Sequence, residues 1–262
     1  MTTRGFSRGI PRQHGVSRRE FNAGMLALGL SSLAVPSAPS RAAAPKKGGT
    51  FRVGIGAGET PDTLVPGTSA NEMLQVLGWS LRNNLVELDH QGNAVPELAA
   101  DWEANPDATV WTFKLRPGVE FHNGKTLSVD DILYSMNLHM RQDSTSAAKS
   151  LLAAVASIAA DGDRIKFTLT AGSADFPYAL ADKHLHIVPD GTTDYSDGMG
   201  TGGYRLVSFQ PGVRAQLKRN PNYWKEGRAH FDEVELLSLK DTHARHIALH
   251  TGEVDAIDKL DI

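Results

Sequence analysis

From residue 50 onward, apolar positions alternate between two periods. Thr50-Phe51-Arg52-Val53-Gly54-Ile55 and Thr109-Val110-Trp111-Thr112-Phe113-Lys114-Leu115 alternate every second residue, which predicts half-buried strands. Met73, Leu74, Leu77, Leu81 and Leu85 share one face of a helix predicted over 71–85. Residues 85–88 then read as a strand and 89–93 as a turn, and Pro96-Glu97-Leu98-Ala99 reads as the start of a short helix. Ser128, with Asp131 three residues on, predicts a capped helix running to about Arg141. The alanine-rich stretch 147–158 reads as a further helix or a loose crossover. Strands are predicted over 164–170 and 231–239, and a hairpin over 204–219 turns at Gln210-Pro211-Gly212. A helix over 241–250 is ended by Gly252, and 254–257 begins one more strand. This mixed order predicts an α/β fold.

Upstream the pattern differs. Ser17-Arg18-Arg19-Glu20-Phe21 precedes an apolar run, Phe21 to Val35, too short to span a bilayer as a helix. The small residues of 37–44 complete a basic, apolar, small-residue order, and the segment resembles a removable twin-arginine export signal over 1–44, with Arg18 and Arg19 as its motif. Cleavage after Ala42 or Ala44 is compatible with that reading. Six arginines and one acid fall in 1–44, which leaves 21 basic and 29 acidic residues in the body. A body with that acidic excess is not expected to bind nucleic acid. The chain has no cysteine, so disulfides, thiolate chemistry and iron–sulfur clusters are excluded.

Candidate chemistry is sparse. No G-x-S-x-G or H-E-x-x-H stands in the chain, so no enzyme activity is expected. Asp130-Asp131 sits at a predicted helix start, where capping explains it. Gly54-x-Gly56-x-Gly58 lacks the spacing of a dinucleotide site. His243, His246 and His250 share a helix face, and His184 and His186 share one side of a predicted extended segment. Either set has metal-ligand chemistry, but a solvated or packed face explains them as well, and no metal or cofactor is expected.

Leu115-Arg116-Pro117-Gly118-Val119-Glu120-Phe121-His122-Asn123-Gly124-Lys125, followed by the 128–137 helix, resembles the signature of extracellular solute-binding proteins of the peptide/nickel ABC-importer class, family 5. Pro96-Glu97-Leu98-Ala99, Gly200-Thr201-Gly202-Gly203-Tyr204, Arg219-Asn220-Pro221-Asn222-Tyr223-Trp224 and Gly252-Glu253-Val254-Asp255 match further landmarks in order. Gly203 replaces a usual proline, and Leu64-Val65-Pro66 replaces leucine-aspartate-proline. The resemblance implies a periplasmic-binding-protein-like two-lobe fold, here the first lobe (45–80 and 200–262) with an inserted subdomain (81–199), the second lobe being absent. It implies a soluble periplasmic protein that hands a peptide-like solute to an inner-membrane ABC permease and ATPase, reached through the twin-arginine translocase. It points to Glu59, Thr60 and Pro61, and to His139 and Met140, as ligand contacts. A non-functional truncated fragment, a nickel-binding relative and an exported enzyme stand as alternatives. A lobe lacking its partner exposes a sheet edge and an apolar face. Residues 45–262 are therefore expected to fold poorly, and a sharp cooperative thermal transition of that segment would contradict this reading.

Overall fold

The computed structural model describes residues 46–68 and 71–259, so the export-signal expectation over 1–44 lies outside the described residues. The elements run β1 (Thr50–Ile55), α1 (Glu72–Leu81), β2 (Val86–Leu88), β3 (Ala94–Pro96), β4 (Ala99–Ala104), β5 (Val110–Leu115), α2 (Val129–Met140), β6 (Val155–Asp161), β7 (Arg164–Leu169), α3 (Phe176–Ala179), β8 (Tyr204–Gln210), β9 (Arg214–Arg219), β10 (Glu233–Ser238), α4 (Thr242–Thr251) and β11 (Ala256–Ile257).

Two main sheets organise them. A five-stranded sheet has the order β11-β1-β10-β9-β8, and a four-stranded antiparallel sheet has the order β4-β5-β7-β6. β1 pairs in parallel with both β10 and β11, whereas β9 runs antiparallel to β10 and to β8. Each sheet carries a core. The smaller packs α1 through Met73, Leu74, Leu77 and Leu81 onto Ile55, Ala215, Leu217 and Leu236. The larger centres on Phe113, Phe167 and Phe176, whose rings meet edge-on. Alternation in β5 is complete: Trp111, Phe113 and Leu115 are buried and the residues between them are not.

Four sequence expectations need correction. The helix predicted over 71–85 stops at Leu81, because Arg82 takes extended backbone and turns its guanidinium onto the Leu64 and Met199 carbonyls. Pro96–Ala99 starts no helix. The Glu97, Leu98 and Ala99 amides donate instead to the Leu85 and Asn84 carbonyls, and the chain passes from β3 into β4. Residues 147–158 make one 3-10 turn, Ala147–Lys149, and then enter β6, where pairing with β7 overrides the helical preference of alanine. His184 and His186 lie in no strand; His184 sits in a turn. The cap predicted at Ser128 does form. The buried Asp131 carboxylate accepts the Ser128 N–H and hydroxyl, each at 2.8 Å, and also binds Lys125 and the Asp190 N–H.

The Gly200–Gly202 segment packs directly on the end of α1. The Gly202 N–H donates to the Leu81 carbonyl at 2.9 Å, and a Cβ at Gly200 or Gly202 would overlap that peptide. His122 reaches the same strip, its Nε2 3.2 Å from the Gly202 carbonyl. Gly202→Ala is expected to cost upwards of about 2 kcal/mol through forced backbone displacement. Gly203→Ala, whose Cβ would meet side-chain carbons of Ala229 and Tyr223 at 3.1–3.3 Å, is expected to cost less than half as much. Urea unfolding of the two variants checks the difference.

Candidate functional site

Because β1, β10 and β11 are parallel, their carboxyl ends meet on one edge of the sheet. Ligands of open α/β sheets bind outside that edge. Here the edge carries the loop 56–62, the hairpin turn at 211–213 and residues 239–241 and 258. The loop is built from its own polar groups. The Glu59 N–H donates to the Asp62 carboxylate at 2.8 Å, the Asp62 N–H returns to the Glu59 carbonyl at 3.0 Å, and Asn71 Nδ2 binds Asp62 at 2.8 Å.

Beneath the loop lies the buried Arg245 guanidinium. It donates to the Leu239 and Lys240 carbonyls at 2.7 and 3.0 Å and faces Asp258 at 3.5 Å, while Asp258 accepts the Gly56 N–H at 2.9 Å. A Cβ at Gly56 would sit 2.8 Å from Arg245, and one at Gly58 would sit 2.9 Å from the Ser238 hydroxyl. The glycine-rich run therefore exists for close packing, not for cradling phosphate.

The structure separates the predicted contact residues. Glu59, Thr60 and Pro61 are exposed at the carboxyl edge. Glu59 is held by Lys240 at 2.8 Å in an exposed pair, and the Thr60 N–H donates to no acceptor among the described residues. Beside this loop a groove of about 700 Å3 opens between residues 62–65, 193–197 and 206–209. His139 and Met140 do not reach it. His139 is fully buried on α2 with Nδ1 2.7 Å from the Ser146 hydroxyl, and Met140 packs onto the larger core.

The remaining histidines also disperse. His184 Nδ1 lies 2.6 Å from Asp182, and His186 is buried with Nδ1 3.3 Å from Asn84 Oδ1. On α4, His243 and His250 are exposed and His246 is half-buried. Among the described residues no three His, Asp or Glu side chains come together to hold a metal. Lys240, Arg245 and Asp258, which support the loop, were missed by the sequence reading. Lys240 and Asp258 stand just past the predicted strands 231–239 and 254–257, which was the available signal, whereas Arg245 lies inside the predicted 241–250 helix and carried none.

This arrangement has relatives. Residues 93–262 match the profile described as bacterial extracellular solute-binding proteins, family 5 Middle, and the chain belongs to that family. It is 25% identical over 206 residues to the glutathione-binding protein GsiB of Pectobacterium atrosepticum, covering 76% of this chain and 40% of that one. Among solved structures it resembles the binding protein AgaA of A. tumefaciens R10 in complex with agropinic acid, at TM-score 0.73 and 27% identity over 80% of this chain and 44% of that one. It also resembles the Helicobacter pylori protein DppA in complex with the peptide STSA, at TM-score 0.72 and 25% identity over 80% and 46%. The chain thus spans about two fifths of the length of the curated relatives it matches. Among the described residues no helix is long and apolar enough to cross a membrane.

Burial depresses the pKa of three histidines, His122 and His139 to about 4 and His186 to about 3. Each is neutral when folded and titrates near its ordinary value of 6.5 when unfolded. Their stabilisation is full above pH 6.5 and is lost as pH falls towards 4, because the unfolded chain takes up protons that the folded chain refuses. Each contributes on the order of 1.4 kcal/mol per pH unit in that window. Urea midpoints measured from pH 7.5 to 4.5 are expected to fall steeply below 6.5, and His139→Gln is expected to flatten the slope by about one proton.

Proposed function

We propose that this chain supplies the first lobe and inserted subdomain of a solute-binding component of an ABC importer, which carries a peptide-like solute to the membrane permease and its ATPase. In this reading the five-stranded sheet is the first lobe, from 45–80 and 200–262, and residues 81–199 are the inserted subdomain. No chemical step is assigned to it. The observation that carries the reading is the exposed loop at the carboxyl edge, with the Thr60 N–H unengaged and the Pro61 ring beside it. Backbone groups presented this way pair with an extended peptide, and affinity then depends little on side chains. Relatives described in complex with a tetrapeptide and with agropinic acid, and one described as glutathione-binding, support a small solute carrying amide and carboxylate groups. Glu59, Thr60 and Pro61 are its proposed contacts. His139 and Met140 act in this reading through packing.

Export is proposed to run through the twin-arginine route, and replacing Arg18 and Arg19 by lysine is expected to hold the precursor in the cytoplasm on fractionation.

Calorimetric titration of the full chain with peptides of two to five residues tests the solute class. Saturable binding is expected, weakened about tenfold by Thr60→Pro, which removes the free donor, and changed less than about threefold by Glu59→Ala. Absence of heat with every peptide tried, in a chain that melts cooperatively, would overturn the proposal.

A further inference from the structure

The opposite edge of the five-stranded sheet holds a groove that the solute reading does not use. Register places it: Thr50 pairs with Glu233 and Tyr204 with Arg219, so Tyr204, Arg219 and the segment 223–229 gather at the amino ends of β1 and β10. A six-residue strand separates this edge from Thr60 by roughly 17 Å. The groove has a volume of about 640 Å3, within the range of small-molecule sites.

Its walls are apolar where they meet solvent. Trp79, near the end of α1, is 53% exposed and Leu88 is 50% exposed, with Val76 and Tyr204 beside them. Its floor is polar, and the carboxylates in it are already satisfied. Lys225 Nζ lies 2.6 Å from Glu87 and 2.8 Å from Glu97, and Glu97 also accepts from Asn83 and from the Asn84 N–H. Three cations line the groove, Arg82, Lys225 and Arg228, against two carboxylates, Glu87 and Glu97. Arg82 is buried and gives Nε and Nη1 to backbone carbonyls, leaving only a buried Nη2 without a partner, and Lys225 is held by the two acids. Arg228 is exposed at the rim and makes no ion pair or hydrogen bond among the described residues. It also lines an adjoining hollow of about 580 Å3 shared with Lys47 and Arg219.

We propose that this groove is a second small-molecule site, which takes a flat apolar group bearing a carboxylate. The indole of Trp79 supplies the face on which a ring lies, and aromatic pairs of this kind are favourable beyond the area they bury. The unspent guanidinium of Arg228 receives the carboxylate, for which its planar fork is better matched than an ammonium. The two carboxylates below, the buried Glu97 and the partly exposed Glu87, are both held by Lys225, and Glu97 is held by the Asn83 and Asn84 amides as well, so their charge is largely offset within the floor. The site is independent of the carboxyl-edge loop, and neither Trp79 nor Arg228 belongs to the proposed solute contacts.

The test uses the full chain labelled with 15N at the indole nitrogens, titrated with 1-naphthoate and, in parallel, with the neutral 1-naphthalenemethanol. The Trp79 resonance, identified by its loss in Trp79→Phe, is expected to move saturably with naphthoate while Trp102 and Trp111 stay in place. The alcohol is expected to bind about tenfold more weakly, the effect of one lost charge-assisted pair. Arg228→Ala is expected to weaken naphthoate by about the same factor and to leave the alcohol unchanged. Both residues are exposed, and an unshifted Trp111 resonance reports that each variant is folded. No saturable movement of Trp79 at millimolar naphthoate, equal affinity for acid and alcohol, or indifference to Arg228→Ala would each overturn the proposal.

Discussion

The buried carboxylate of Glu97 ties this structure together. Removing a charge from water costs several kcal/mol unless partners replace the water. Here the partners come from distant parts of the chain. Asn83 Nδ2 donates at 2.6 Å, the Asn84 N–H at 2.9 Å and Lys225 Nζ at 2.8 Å, while Arg116 binds the Glu97 carbonyl at 2.9 Å. Burial raises the Glu97 carboxyl above its usual range, and Lys225 pulls it back. For Lys225 burial works downward, but the Glu97 and Glu87 carboxylates more than offset it and raise it, so the amine stays charged. Asn83 carries the network further, its side-chain oxygen accepting from the Thr201 hydroxyl at 2.9 Å and its backbone carbonyl accepting from the Ile187 N–H at 3.0 Å. The join between α1, the 200–203 strip and the 223–225 segment is therefore polar and directional. A purely apolar contact would fix the two cores less specifically.

That join leaves the edges of the five-stranded sheet free for different uses. At the carboxyl edge the chain spends Asp62, Asp258 and Arg245 on shaping a loop, and its outward backbone stays open. At the amino edge Glu97 and Lys225 form the floor of a groove whose rim is apolar and whose remaining cation is Arg228. The same network thus holds the fold and sets the charge balance of the second groove. The family assignment rests on the chain's middle and later residues, 93–262, which include Glu97, Lys225, the 200–203 strip and the whole four-stranded sheet.

Much of the fold was legible in the sequence because the period of burial is local. β5, α2, the β8–β9 hairpin and α4 with Gly252 at its end stand where alternation, capping and glycine placement put them. The failures share a cause. Pro96–Ala99 and 147–158 have the composition of helices but lie beside chain segments that offer backbone partners, and pairing with 84–85 and with β7 outweighs a propensity of a few tenths of a kcal/mol per residue. The end of α1 was missed because Leu85 continues the helical stripe, whereas Arg82 is drawn to carbonyls 18 and 117 residues away in sequence.

For the site, sequence alone determined which residue types were absent, where turns had to fall and that 58–61 would be a loop beyond a strand. Those are properties of single residues and short patterns. It could not decide exposure. His139 and Glu59 are both polar residues near element ends, yet one is sealed against Ser146 and the other faces solvent beside Lys240. Nor could it gather Trp79, Arg228 and Lys225 around one groove, since strand register brings them together across some 150 positions. Local chemistry determined the elements, and the long-range pairing of β1 with β10 and of Glu97 with Lys225 decided what those elements present to a ligand.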